Sequence, residues 1–491
     1  MPAVAPDFAQ SSRSHQKSRL AAPSSVLEFL KRANFYDYKD QFKTLLKLGA
    51  RGMKAAGSEQ PGAFSRDNSH VPLASVDVAR GTKSLLIDVG GSHVRISLRV
   101  VDGDGQTALV PLADIPHKES RLSSKKGFDG DPLQRFASYL AHRGYEKLEE
   151  RRIKTSEING VAVIWSNAMK CAPIEGTGIK GVTGTVTDRE GSYRKNEWFI
   201  GKLQNGDDIG AALLGALGKK GIAPEVFLLL NDTTATAKAY GGLDKVDGAG
   251  IASTGANETD VIDGKIVSTE AGAKFRLPMP GCGVLTLPDL LASPEGALED
   301  FIAGKGMPLV FTEHILHMGQ SGFKPFEKLA VKISKLNERR RLQLFNGLDL
   351  SKLDENDLGG FLQGKPEWMR QAIAAEDLPH LKDLAQAIVA RGGFLCGLMC
   401  SLSIANKPGV LHAQQGGEKP SFTIILDSAQ ARTKPSYLKA MQDAVVLHLS
   451  HVNLKIIVLE PPEDGVSIPI IGAGRALDNF YANDPGVRRE S

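Results

Sequence analysis

The stretch Leu85-Leu86-Ile87-Asp88-Val89-Gly90-Gly91-Ser92-His93-Val94-Arg95-Ile96-Ser97-Leu98 holds the residues best suited to grip a charged ligand. An apolar run delivers Asp88 to its tip, Gly90 and Gly91 turn the backbone, and an alternating run leads away. This reads as a strand, a tight turn and a return strand. Glycines let backbone N–H groups close on an anion, and an aspartate can hold a metal ion through water. The shape suits the phosphates of a magnesium nucleotide, although Asp-x-Gly-Gly is also an ordinary hairpin turn.

Further strands end in the same way. Val226 to Leu230 runs into Asn231-Asp232-Thr233-Thr234-Ala235-Thr236, placing a carboxylate at a strand end where a helix can start. A second glycine turn follows at Ala252-Ser253-Thr254-Gly255-Ala256-Asn257, and a hairpin then carries Val267-Ser268-Thr269-Glu270-Ala271-Gly272. Near the end, Phe422 to Leu426 delivers Asp427-Ser428-Ala429. Open α/β sheets bind ligands at the carboxyl ends of their strands, so these tips form a constellation.

In order and spacing the segments resemble the hexokinase family, within the actin-like sugar-kinase fold. The family's Asp-Leu-Gly-Gly-Thr-Asn-Phe-Arg is matched by Asp88 to Arg95, and its Asn-Asp-Thr-x-Gly-Thr by Asn231 to Thr236, with Ala235 for Gly. Its Gly-Thr-Gly-x-Asn-Ala is matched by Ser253 to Glu258, and its Asn-Thr-Glu-Trp-Gly by Ser268 to Gly272. A helix motif with a Glu and a later Gly-Lys-x-Met is matched by Leu298 to Met307. The resemblance runs from about residue 25 to the end.

The resemblance implies ATP-dependent, Mg²⁺-assisted phosphorylation of a hexose, at the 6-hydroxyl of glucose or a related sugar. Such transfer needs a proton acceptor, a cradle for phosphates and exclusion of water. Asp232 would take the hydroxyl proton; a helix cap is its other reading, and both roles can coexist. Asn231, Asn257, Glu270 and Glu299 would hydrogen-bond the sugar, as would Ser166 and Asn167 in the Ile164-Trp165-Ser166-Asn167-Ala168 segment that replaces the family's Phe-Ser-Phe-Pro. Gly90, Gly91 and Ser92 would meet the transferring phosphate. Asp88 and Asp232 would face the Mg²⁺ through water. Ser253, Thr254 and Gly255 would cradle the other phosphates, with Thr233 and Arg95 nearby; Arg95 could equally form a buried structural pair. Asp427 and Ser428 occupy the family's Asp-Gly-Ser position. The family's Thr-Lys pair is best matched around Lys195, with Lys180 and Lys202 as rivals. Its C-terminal Gly-Ser-Gly-x-Gly-Ala run is replaced by Gly465 to Ala473. Trp165 and Trp198 could stack on a sugar, or pack in the core.

The 491 residues suit two or three domains, and 42% hydrophobic residues can build full cores. A net charge of +4 is too small for an electrostatic nucleic-acid footprint. The four cysteines, Cys171, Cys282, Cys396 and Cys400, show no disulfide framework, which points to a reducing compartment and a cytoplasmic location. Cys396 and Cys400 read as buried thiols rather than half of a zinc site. No apolar run reaches about 18 residues, so no membrane span is expected. Residues 1–24 are rich in Ser, Lys and Arg, overlap a transit peptide in composition, and read as a disordered tail because Pro2, Pro6 and Pro23 interrupt any helix.

The elements that must position these residues follow from periodicity. Phe35, Tyr38, Phe42 and Leu45 predict an amphipathic helix over 26–55. Strands are expected over 81–115, at 160–165, before Asn231, and at 422–426 and 454–459. Helices are expected at 132–148, 208–217 and through 285–400, where Arg339-Arg340-Arg341 reads as a solvated face. The expected fold is a two-lobed α/β protein of the actin-like ATPase (ribonuclease H-like) type with a cleft between lobes. Residues 25–79 would pack on a large lobe of 232–465; 80–231 would form the small lobe, rejoined by a C-terminal helix in 466–491. Two other functions fit the same pattern: a catalytically weak sugar sensor, motivated by the altered nucleotide motifs, and an actin-like structural or chaperone ATPase.

Overall fold

The computed structural model describes residues 23–54, 67–72, 78–117, 131–167, 169–187, 203–240, 246–253, 255–262, 265–277, 285–341, 365–405, 418–462 and 465–482, with 344–345, 350, 353, 407, 409–410 and 413 between them. The strands are Asp67–Pro72 (β1), Lys83–Val89 (β2), His93–Val101 (β3), Thr107–Pro116 (β4), Gly160–Trp165 (β5), Met169–Pro173 (β6), Lys180–Val186 (β7), Val226–Asn231 (β8), Gly248–Ala252 (β9), Ala256–Ile262 (β10), Lys265–Ser268 (β11), Ser421–Asp427 (β12) and Asn453–Val458 (β13). They form a seven-stranded sheet in the order β4-β3-β2-β5-β8-β7-β6 and a six-stranded sheet in the order β1-β11-β10-β9-β12-β13.

The two sheets share a plan. In each, an antiparallel meander (β2-β3-β4 or β9-β10-β11) lies beside parallel strands. β5 and β8 are buried at every residue, as strands covered on both faces must be. Parallel pairing aligns the carboxyl ends of β2, β5 and β8 in one sheet, and of β9 and β12 in the other. That brings residues 88–92, 166, 231–232, 253 and 427 to strand ends, where open sheets form sites.

Two helices join the halves. Asp232–Ala239 leaves β8 directly, capped by the Asn231 side chain, and packs against β9, β10 and β11 of the six-stranded sheet. Ile468–Ala482 lies along it and on β2, β5 and β8 of the seven-stranded sheet.

The expected 26–55 helix is broken. Val26–Arg32 and Phe42–Lys54 are separate helices, because Asn34 takes a left-handed φ of 58° between them. Its apolar residues are nonetheless buried: Phe35, Tyr38, Phe42 and Leu45 all join the core against Leu378–Leu402. That helix is long and apolar enough to cross a membrane by composition alone, a length hidden in the sequence by interspersed polar residues. It is instead the central core helix, with 89% of its most apolar window buried. Its Arg391 donates to both oxygens of Asp289, at 2.8 and 2.5 Å, and lies 4.1 Å over the Phe35 ring. Burial alone would raise the Asp289 pKa; Arg391 and neighbouring His314 outweigh it and bring the carboxyl to about 2. Such a pair destabilises by several kcal/mol when one partner is lost, since it leaves a buried charge alone.

Three strands emerge where the sequence offered no reading: β1, β6 and β7, the last in a Gly- and Lys-rich stretch that lacks alternation. Cys396 and Cys400 are free and buried and Cys171 is buried, while Cys282 falls outside the described residues. Trp165 is buried against Phe136, their ring centroids 5.2 Å apart, so it packs in the core rather than at a ligand.

Candidate active site

At the end of β2, strand register sets Asp88 opposite Arg95. Arg95 Nη1 donates to Asp88 Oδ2 at 3.2 Å, and Ser467 Oγ donates to the same oxygen at 2.8 Å. Burial raises the Asp88 pKa, with Arg95 and Ser467 opposing that shift. Arg95 therefore forms the structural pair and also lines the cleft.

The turn that follows is held from outside. The Gly90 N–H donates to the His93 carbonyl at 3.0 Å. His117 Nε2 donates to the Gly90 carbonyl at 2.8 Å, and its backbone N–H donates to the Ser92 carbonyl at 2.9 Å. Burial lowers the His117 pKa, and the Nε2 that meets a carbonyl oxygen carries a proton. Neither Gly90 nor Gly91 adopts a left-handed backbone, and a Cβ on Gly90 would meet nothing closer than 3.5 Å. The glycines thus do not make the turn possible; they keep its cleft-facing surface bare so that a ligand can reach backbone N–H groups.

The facing wall comes from the other sheet. Ser253 and Gly255 close a turn between β9 and β10, the Ser253 N–H donating to the Gly255 carbonyl at 2.9 Å. The Gly304 N–H donates to the Ser253 carbonyl at 2.6 Å, tying this turn to the segment after the Leu298–Ile302 helix. Asp427 ends β12 and accepts from Arg432 Nη1 at 2.9 Å. Ser428, expected at the nucleotide, is fully buried: its hydroxyl donates to the Ala252 carbonyl at 2.8 Å and caps the Ala429–Thr433 helix. A capping residue must face its own helix, so it turns away from the cleft.

Asp232 is the first residue of its helix, with Oδ1 accepting from the Thr233 N–H at 2.8 Å. Asn231 rather than Asp232 is the helix cap, while Asp232 bonds a first-turn amide and also lines the cleft. Asn231 and Thr233 do not line it. Asn231 Oδ1 accepts from the Thr233 hydroxyl at 2.6 Å, and Asn231 Nδ2 donates to the carbonyls of Trp165 and Asn167 at 3.5 and 3.4 Å. Asn231, expected at the sugar, braces the loop after β5 from outside the cavity lining, because a strand-end amide beside a helix start is captured by neighbouring groups.

Glu270 has a left-handed φ of 53°, which costs a side-chain-bearing residue free energy and is retained where the surroundings enforce it. Its Oε1 accepts from Asn257 Nδ2 at 3.0 Å and from Ser268 Oγ at 3.3 Å. Glu270 and Asn257 are both almost fully buried and both line the cleft. Glu299 stands one layer behind, 3.5 Å from the Ala256 N–H. Ser166 lines the cleft while donating to the Val89 carbonyl at 3.0 Å. Asn167 is buried, with an amide oxygen that has no hydrogen-bond partner among the described residues.

One cavity of about 220 Å³ gathers these groups. It brings together Asp88, Gly90, Gly91, Ser92, Arg95, Ser166, Asp232, Ser253, Gly255, Asn257, Glu270 and Asp427. Asn167, Asn231, Thr233, Glu299 and Ser428 lie outside its lining. Lys195, Lys202, Trp198 and Thr254 fall outside the described residues, and Lys180 is exposed at the start of β7. Sequence reasoning missed Ser467, Pro469 and Ile251, which also line the cavity, and His117. A hydroxyl just before the apolar helix Ile468–Ala482 was a usable cap signal for Ser467; nothing in the sequence marked His117.

Four carboxylates, Asp88, Asp232, Glu270 and Asp427, and the arginine Arg95 surround one space, an all-oxygen donor set beside a cation. No three His, Cys, Asp or Glu side chains among the described residues converge as a metal cage. That fits Mg²⁺, which keeps waters and takes one or two carboxylates together with substrate phosphates. Asp88, Asp232 and Asp427 are the residues that would face it.

No protein-family model matches the chain, and no curated protein matches its sequence. Solved structures do match. A Schistosoma mansoni hexokinase complexed with glucose superposes with a TM-score of 0.67 at 15% identity, covering 92% of this chain and 98% of that one. A second hexokinase gives a TM-score of 0.60 at 14% identity, covering 93% and 96%. At these identities the likeness establishes the fold: this chain has the two-lobed α/β architecture of those hexokinases.

Proposed function

We propose that the protein is an ATP-dependent hexose kinase that phosphorylates the 6-hydroxyl of glucose or a related hexose. The observation that carries this reading is the shared cavity. A carboxylate at a helix start, Asp232, faces the same space as the polyol acceptors Glu270 and Asn257 and as two glycine turns on opposite sheets. The likeness to a hexokinase that binds glucose supports the choice of sugar.

Each residue's part follows from its surroundings. The Glu270 carboxylate, oriented by Asn257 and Ser268, accepts hydrogen bonds from sugar hydroxyls, for which an acceptor-only group is suited. Asp232, held by the Thr233 N–H, takes the proton of the attacking hydroxyl. Backbone N–H groups of Gly91 and Gly255 hold the donor's phosphates, and Arg95 offsets negative charge at the first turn. Bound Mg²⁺ would neutralise phosphate charge beside Asp88. Closing of the lobes about their two shared helices would exclude water, so that the sugar rather than water receives the phosphoryl group. The buried free cysteines fit a reducing compartment, and the cytoplasm is the proposed location.

Coupled measurement of ADP release with Mg-ATP and a hexose panel tests this. Sugar-dependent release is expected; sugar-independent hydrolysis alone would favour an actin-like ATPase. A second reading, a sugar sensor with weak catalysis, is favoured by one observation: the Ser428 hydroxyl is committed to Ala252 and to its own helix. Glucose binding without ADP release would support it.

A further inference from the structure

A chain of buried hydroxyls crosses the molecule behind Asp232. Thr259, on β10, donates its hydroxyl to Thr233 Oγ1. The Thr233 hydroxyl donates to Asn231 Oδ1 at 2.6 Å, and the Asn231 amide donates to the carbonyls of Trp165 and Asn167. Thr259 and Thr233 are fully buried and Asn231 nearly so. Each donor in the series points to acceptors further along it, the last to two carbonyls, which gives the chain a single direction. It begins on the strand that carries Asn257 and ends on the loop that carries Ser166. The Thr233 N–H at its centre is shared between Asn231 Oδ1 and Asp232 Oδ1, at 3.0 and 2.8 Å.

We infer that Thr259 is a positioning residue for the reaction, acting on Asp232 through Thr233 and Asn231 and setting the acceptor loop in the same motion. The inference rests on the kinase reading given above. Its physical basis is the low dielectric of the buried chain. A missing donor at its head leaves the buried Thr233 oxygen with one hydrogen bond fewer, which weakens its hold on Asn231 and loosens both the Asp232 peptide and the Trp165–Asn167 backbone. Thr259 touches no cleft residue's reacting atom, so sugar affinity depends on it far less than turnover does.

The test compares Thr259→Val, which keeps shape and loses the hydroxyl, with Thr259→Ser, which restores it. Thr259→Val should lower kcat on the order of tenfold with the hexose KM nearly unchanged, because small misplacements of a reacting group are costly. Measured per folded molecule, kcat should recover in Thr259→Ser. A general loss of folding would lower the amount of active protein and leave kcat per folded molecule unmoved; that result overturns the inference, as does a Val variant with normal kcat. Absence of hexose-dependent ADP release in the unaltered protein would overturn the kinase reading and this inference with it.

Discussion

Gly472 lies against Ala235 so closely that a Cβ on the glycine would sit 1.7 Å from the Ala235 carbonyl oxygen. The two residues belong to the helices that join the lobes, and this is where those helices cross. The family motif carries glycine at position 235; here alanine stands there, and the helix opposite supplies the room. Gly472→Ala should therefore destabilise the fold by about 1–3 kcal/mol or more, through forced separation of the helices. Urea denaturation of the variant checks this, and a midpoint equal to that of the unaltered protein would contradict the crossing geometry.

Asp232 shares a cavity with Glu270 and Asp88, at the start of a helix that also uses its carboxylate. Asp232→Ala should cut turnover by a factor on the order of 10² or more while glucose binding is largely kept. Stopped-flow turnover beside calorimetric titration with glucose separates the two quantities. Near-normal turnover would remove this residue from the base role.

Glu270 spends backbone strain to hold its carboxylate in the cleft. Glu270→Ala should weaken sugar binding by about 1–3 kcal/mol, the cost of a lost charge-assisted hydrogen bond. Equilibrium titration with glucose reads this out, and unchanged affinity would exclude it as a sugar ligand.

Glu258 stands where the family motif has alanine, on the strand carrying Asn257, with its side chain buried beside Ser403 and Cys396. Burial raises its pKa well above the usual carboxylate range. A group raised on folding contributes stability below its unfolded pKa, and that contribution is lost as pH climbs through the folded one. Glu258→Gln, neutral at every pH, should therefore gain stability relative to the unaltered protein as pH rises. Denaturation midpoints at pH 5 and pH 8 measure this; a gap between the proteins that stays constant would show that Glu258 does not titrate in this window.

Much of this molecule was legible in one dimension. Strand positions followed from apolar runs such as Val226 to Leu230, which are long and unmixed because both sheet faces are covered. The tips at Asp88, Asp232, Ser253, Glu270 and Asp427 were visible as small or acidic residues ending those runs. A strand end is a local property, and so the sequence determined which chemistry could be present.

What each tip touches depends on partners hundreds of positions away, and only the tertiary structure decided it. Ser467 reaches Asp88 across 379 positions because the last helix returns to the first strand. Asn231 and Ser428 carry the right groups for a ligand, yet nearby backbone atoms claim them first. His117 shapes the first glycine turn although no pattern announced it. Local spacing states which atoms stand at a strand's end; the competition among all buried donors and acceptors, settled only once the lobes meet, determines which of them still face the cleft.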